Sequence, residues 1–384
     1  MLTSASIIAG PLGYRLLSLE VFADLVIPEG LKPLSGGTFI GTVPFVNEGG
    51  YPLDTLVGTG LGKRLVLDLS RLSLDTLVTP SKEFFIRTGF PDRLRSTANW
   101  KIQVRGRVKK AAVLSLSELM RDEAPAGTHL IECAGNPRVG RFGLISTARW
   151  TGIPIKTVLR RVNMQPQATR IIVSGFDEHS RPHRGSAPGA SWSFTFEQLE
   201  LAGAFLATAM NGLPLSKDHG YPVRFVMPGW YGCSCIKWVN LIVIADDTAP
   251  ATGHMKEYAG RTHQDGISQL AKDFEPATVD LAAMPVRVEA WRVDDSLLYR
   301  IVGIMWGGEQ TTRALVIRFN PDTPYVPVRD YDHQSNATWT VWSYIWRPQK
   351  PGRYEIRLQV DDPSIRTRRL DAGHYTRIVE VETV

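Results

Sequence analysis

The chain has little cysteine and no long apolar run. Its 384 residues hold three cysteines, Cys133, Cys233 and Cys235, too few for a disulfide scaffold at this length. No CxxC or CxxCH spacing occurs, which argues against structural zinc and covalent c-type haem. Cys233 and Cys235 flank a single residue, a poor geometry for a mutual disulfide. No stretch reaches the ~18–20 apolar residues that a membrane-crossing helix needs, so no membrane span is expected. The phosphate-binding pattern GxxxxGK[ST] is absent. The net charge is +6, but the basic residues are scattered, so no nucleic-acid partner is expected. Mild basicity fits plain solubility, or a cationic funnel for a small anion. The first ten residues are small and apolar but lack the basic start of a signal peptide. They read as a plain arm or as the remnant of an export signal whose arginine-rich part lies upstream of Met1. The second case would place the protein in the periplasm, the first in the cytoplasm.

What is present is a globular balance. Hydrophobic residues make up 43% and charged residues 21%, which excludes a wholly disordered chain and leaves room for two or three cored domains. Residues 1–80 are rich in Gly and Pro and read as a strand-poor N-terminal arm. Residues 81–250 mix short β-type runs with a few helical ones and read as an α+β unit. Ile155, Val158, Leu159 and Val162 recur at helical spacing after Pro154. Ser115-Leu-Ser-Glu118 reads as a capping box opening a second, short helix. Ile171–Val173, Pro222–Pro228 and Trp238–Ile244 read as strands. Ala204–Met210 followed by Asn211-Gly212 reads as a hairpin, because Asn-Gly accepts the positive φ angles of a type I′ turn. Residues 251–284 are polar, with Gly253, Gly260 and Gly266, and read as a connector. Over 285–384 at least five strand-like runs follow one another without a helical run, the pattern of a β-sandwich. Among them Tyr354, Ile356, Leu358 and Val360 alternate with Arg353, Glu355, Arg357 and Gln359, as in a half-buried strand.

Two segments carry chemistry. In His129-Leu-Ile-Glu-Cys-Ala-Gly-Asn-Pro-Arg138 a thiol follows an apolar β-type run and precedes a turn-forming stretch. A nearby cation favours the thiolate, which suits a thiophilic metal. Cys133 is therefore a metal ligand or nucleophile, or else a small buried hydrophobe. In Asp218-His-Gly-Tyr-Pro-Val-Arg224 and Pro228-Gly-Trp-Tyr-Gly-Cys-Ser-Cys-Ile-Lys237, the donors His219, Arg224 and Lys237 alternate with glycines. Backbone amides and cations of this kind suit a phosphorylated ligand. A solvated glycine-rich loop is the alternative.

The stretches ECAGNPR (132–138), GLISTARWTG (143–152), MNGLPLSKDHGYPVRFVMPG (210–229) and the CIKW ending at Trp238 resemble the sulfite oxidase family of molybdopterin-dependent oxidoreductases. The resemblance implies a mixed α/β molybdopterin-binding domain followed by an all-β immunoglobulin-like sandwich that forms a homodimer. It implies a molybdenum–molybdopterin cofactor with Cys133 as its thiolate ligand. Asp177, His219 and Arg224 match positions that hold the pterin and its phosphate, and Cys235, Ile236 and Lys237 match the last cofactor-contacting stretch. Arg87 and Arg138 match arginines of the oxyanion pocket, where a guanidinium fork suits a small planar anion. The implied activity is two-electron oxygen-atom transfer, with sulfite going to sulfate and electrons to an external carrier such as a c-type cytochrome. A reductase or dehydrogenase for an S-oxide or another oxyanion is the alternative enzyme. A non-catalytic binding module with Cys133 in its core is the alternative of another class.

The departures concern the substrate side. Cys235 stands where the family usually has serine. The family's pocket tyrosine falls at Phe194, which would remove a hydroxyl. The loop after the cysteine is shortened, with Phe142 in place of a tryptophan. Gly89 replaces a histidine after Arg87, and Ser335–Trp342 carries no arginine. Trp291, Trp306, Trp339, Trp342 and Trp346 would anchor a dimer interface or fill the sandwich core.

Overall fold

The computed structural model describes residues 32–382, apart from 75, 93, 95 and 178–188. The chain opens with strand β1 (Gly37–Val43). The first unit then contains β2 (Lys101–Gly106), β3 (Ala112–Ser115), α1 (Leu116–Leu119), β4 (Ala124–Glu132), β5 (Ile145–Pro154), α2 (Ile155–Arg160) and β6 (Arg170–Gly175). It continues through β7 (Ser191–Thr195), α3 (Phe196–Leu201), β8 (Phe205–Met210), β9 (Leu213–Pro214), β10 (Arg224–Val226), β11 (Val239–Ala245) and α4 (Gly253–Tyr258). The second unit holds β12 (Ala282–Val293), β13 (Ser296–Trp306), β14 (Leu315–Phe319), β15 (Val326–Pro327) and β16 (Thr340–Trp346), then β17 (Gly352–Val360), α5 (Arg368–Asp371) and β18 (Arg377–Val381).

The first unit has two sheets, ordered β10-β8-β5-β4 and β3-β2-β11-β6-β7. The second sheet is mixed, because β11 lies parallel to β2 and antiparallel to β6. All six residues of β6 are buried, which explains its unbroken apolar run. Helix α2 buries Ile155, Val158 and Leu159, the spaced positions that identify one helical face. The β8–β9 hairpin turns through Asn211 and Gly212 at φ 54° and 78°, the two positive angles a type I′ turn requires. The capping box at Ser115 does not form. Its hydroxyl pairs with that of Ser117 instead of capping α1. A complete box opens α3, where Thr195 and Gln198 cap each other's backbone.

The second unit is a sandwich of two four-stranded sheets, β1-β12-β13-β16 and β15-β14-β17-β18. Sequence composition suggested a strand-poor arm over residues 1–80, yet β1 pairs along β12 from Gly37–Val293 to Val43–Val288. Tyr299, Ile301 and Met305 of β13 face the inner core with Ile317, Ile356 and Leu358. Val302, Ile304 and Trp306 face the first unit's core instead. A strand buried on both faces shows no polar alternation. Trp306, Trp339, Trp342 and Trp346 are buried in the two cores, and Trp291 is buried edge-on against the exposed Phe39. No helix among the described residues is long and apolar enough to cross a membrane.

Candidate functional site

A cleft lies at the end of β4, lined by Cys133, Arg87, Asp177, Arg224 and Cys235–Lys237. Strand β4 ends at Glu132, and Cys133 keeps one more backbone bond, its N–H donating to Leu144 O at 2.9 Å. The chain then turns on Asn136, whose amide donates to Phe142 O at 2.8 Å and accepts Leu144 N–H at 3.0 Å. The short loop is thus cross-braced, and the thiol is held at its base. Arg87 arrives on the segment that bridges Leu65 at Ile86. Two residues on, a Cβ at Gly89 would sit 2.4 Å from Lys63 Cβ and 2.5 Å from Gly60 O. The position admits no side chain, which accounts for the missing histidine.

The electrostatics are those of an anion receptor. Burial pushes the Cys133 thiol up, while the Gly135 N–H and the Arg87 charge pull it down. Such a thiol stays protonated until a metal displaces the proton. Burial and the Arg224 charge bring Lys237 down from 10.5 to about 7. Its ammonium donates to the carbonyls of Asp218, at 2.8 Å, and Thr88. Arg224 is buried, and its Nε has no hydrogen-bond partner among the described residues. A buried donor without a partner is costly unless a ligand satisfies it. Asp177 Oδ1 accepts the Ala190 N–H at 2.9 Å.

His219, Arg138, Phe142 and Phe194 do not line the cleft. The His219 Nε2 donates to Phe84 O at 3.0 Å and its Nδ1 accepts from Ser216 at 2.8 Å. Both ring nitrogens are therefore used inside the protein, and the residue pins the segment that carries Arg87. Burial and Lys237 hold His219 down at about 4, against an ordinary 6.5. Arg138 turns away, donating to the carbonyls of Thr376 and His374 in the sandwich unit. Phe142 is fully buried and packs edge-on against His374 and Tyr375. Phe194 is core, against Phe225 and Trp230.

Further residues missed in the sequence line the cleft, among them Thr88, Cys233, His254 and Tyr258. His254 and Tyr258 stand four apart on α4, with ring centroids 4.8 Å apart. That i, i+4 pair behind the N-cap Thr252 is a legible helical signal, hidden in a stretch that composition marks as connector. Tyr258 supplies a phenol at the cleft, so the substitution at Phe194 does not deprive the site of a hydroxyl. The residues present fit a soft metal held by one thiolate, with an anionic, phosphate-bearing organic part held by Arg224 and Lys237.

The family described as oxidoreductase molybdopterin binding domain matches residues 88–253. Human mitochondrial sulfite oxidase is 30% identical over 314 residues, covering 76% of this chain and 57% of that protein. The sulfite oxidase of Drosophila melanogaster is 24% identical over 82% of this chain and 57% of its own length. Inducible nitrate reductase [NADH] 1 of Glycine max is 28% identical over 91% of this chain and 41% of its own length. The chain thus spans from about two fifths to little more than half of the length of these curated relatives. Among solved structures, the sulfane dehydrogenase SoxCD from Paracoccus pantotrophus shares the fold, with a TM-score of 0.62 at 18% identity, over 87% of this chain and 93% of that one.

Proposed function

Because the chain belongs to the sulfite oxidase family of molybdopterin-dependent oxidoreductases, we propose that it oxidises sulfite to sulfate and passes the electrons to an external carrier such as a c-type cytochrome. The observation that carries this is the meeting, in one cleft, of the Cys133 thiol with Arg87, Arg224 and Lys237. When bound, the molybdenum–pterin group supplies the two-electron oxygen-atom transfer.

The chain's own residues bind and orient. Cys133 would hold the metal through its thiolate, giving up its proton on binding. Arg224 and Lys237 would hold the phosphate, Asp177 would offer a carboxylate to the organic part, and Cys235 and Ile236 would close the wall beside them. The Cys235 Sγ already faces Met227 O at 3.9 Å, so it gives the cofactor a weaker donor than a serine would. Arg87 faces the incoming anion, and the Tyr258 hydroxyl stands ready to donate a hydrogen bond to it. Burial keeps that phenol protonated, its pKa raised. His219 serves as a positioning residue for Arg87 through the Phe84 carbonyl. A homodimer built through the sandwich belongs to the same proposal.

A second reading rests on Arg138. Its withdrawal to the sandwich carbonyls removes one cation from the pocket, which would suit reduction of a neutral S-oxide. Sulfite-dependent reduction of cytochrome c or ferricyanide by molybdenum-loaded protein separates the two. Turnover supports sulfite oxidation, and its absence removes sulfite.

A further inference from the structure

We propose that Arg261, rather than Arg138, is the second guanidinium that selects anionic substrates, at the rim of the cleft. This rests on the cleft being the substrate site. Arg369 of α5 fixes the arrangement from behind. Its Nη2 donates to Ala134 O at 2.7 Å and to Arg261 O at 2.6 Å. One guanidinium nitrogen thereby ties the backbone of residue 261 to the residue that follows Cys133.

From that anchor the Arg261 side chain packs over Tyr258 and against Gly135. Its guanidinium carbon lies 5.3 Å from the Tyr258 ring centroid. A Cβ on Gly135 would sit 3.0 Å from its Nη1, so the guanidinium lies against the loop that carries Cys133. Tyr258 and Cys133 both line the cleft, so the Arg261 charge lies over one lining side chain and against the loop two residues past the other.

Arg261 is exposed, and among the described residues its guanidinium makes no ion pair. A planar fork with uncommitted donors suits an oxyanion. Arg138 differs, with both terminal nitrogens given to backbone carbonyls and one of them 3.9 Å from Glu48 Oε1. Arg87 inside and Arg261 at the rim make a two-point receptor. A neutral sulfoxide can accept a hydrogen bond from either group but brings no charge to pair with them, so the two cations favour the anion.

The test uses molybdenum-loaded wild type, Arg261→Gln, Arg261→Lys and Arg138→Gln. Sulfate binding is measured by titration calorimetry, and the KM for sulfite with ferricyanide as acceptor. In Arg261→Gln, sulfate affinity falls and KM rises by about tenfold or more, as for loss of a charged hydrogen bond, with kcat little changed. Arg261→Lys keeps part of the affinity, and Arg138→Gln binds sulfate as wild type does. Unchanged binding in Arg261→Gln, an equal loss in Arg138→Gln, or no sulfate binding by wild type overturns the proposal. If wild type binds sulfate but does not oxidise sulfite, the substrate assignment fails while the titration still decides the role of Arg261.

Discussion

The Trp306 indole N–H donates to Glu132 Oε2 at 2.9 Å, joining the last residue of β4, next to Cys133, to the sandwich unit. The other oxygen of the same carboxylate accepts the Tyr375 hydroxyl at 2.7 Å, and the Arg369 guanidinium lies 3.7 Å away. Glu132 is wholly buried. The second unit is therefore a back wall for the cofactor loop, in addition to any part it has in assembly. Replacing Glu132 by Ala strands two buried donors beside a buried cation and should cost about 3–5 kcal/mol, with Glu132→Gln costing less. Equilibrium denaturation measures both. A midpoint unchanged in Glu132→Ala would show that the two units do not depend on this carboxylate.

His219 gives the pH dependence a sign. Its folded pKa is lowered from 6.5 to about 4, so the fold favours the neutral ring. The stabilisation is present in full above pH 6.5 and is lost as pH falls towards 4. The span corresponds to about 3 kcal/mol. Denaturation midpoints between pH 7 and 4 should fall steeply in wild type and less steeply in His219→Gln. Equal slopes would remove His219 as the source.

Arg87 and its neighbour Gly89 separate recognition from packing. Arg87→Gln should raise the KM for sulfite by about tenfold or more through loss of a charged contact, with the fold intact by circular dichroism. An unchanged KM would take Arg87 out of the anion pocket.

Gly89→Ala should destabilise by about 1–3 kcal/mol, because a methyl group must displace Lys63 and the Gly60 carbonyl. Gly89→His should cost more instead of restoring a lost function. Thermal denaturation decides, and a neutral Gly89→Ala would mean the segment gives way.

The sequence made some features legible and hid others for physical reasons. Period-two alternation marks β17 because one face meets solvent, and Asn211-Gly212 marks a hairpin because few residue pairs take two positive φ angles. Strand β1 was hidden because it is largely exposed and is held by edge pairing with β12, some 250 residues away. At the site, the ordered motifs located Cys133, Asp177, Arg224 and Lys237 in one cleft. They did not give side-chain direction. Arg138 faces the sandwich because Thr376 and His374 offer carbonyls there, and His219 faces inward because Phe84 and Ser216 satisfy both ring nitrogens. Tyr258 and Arg261 escaped notice because they sit in a polar stretch of connector composition that folds against the cleft.

Cys133 remains the residue on which the assignment turns. X-ray absorption at the molybdenum edge, on loaded wild type and on Cys133→Ser, tests it most directly. Ligation by this thiolate predicts one fewer sulfur around the metal in the variant and loss of the thiolate-to-molybdenum absorption band. The same sulfur count and the same spectrum in both proteins would contradict it.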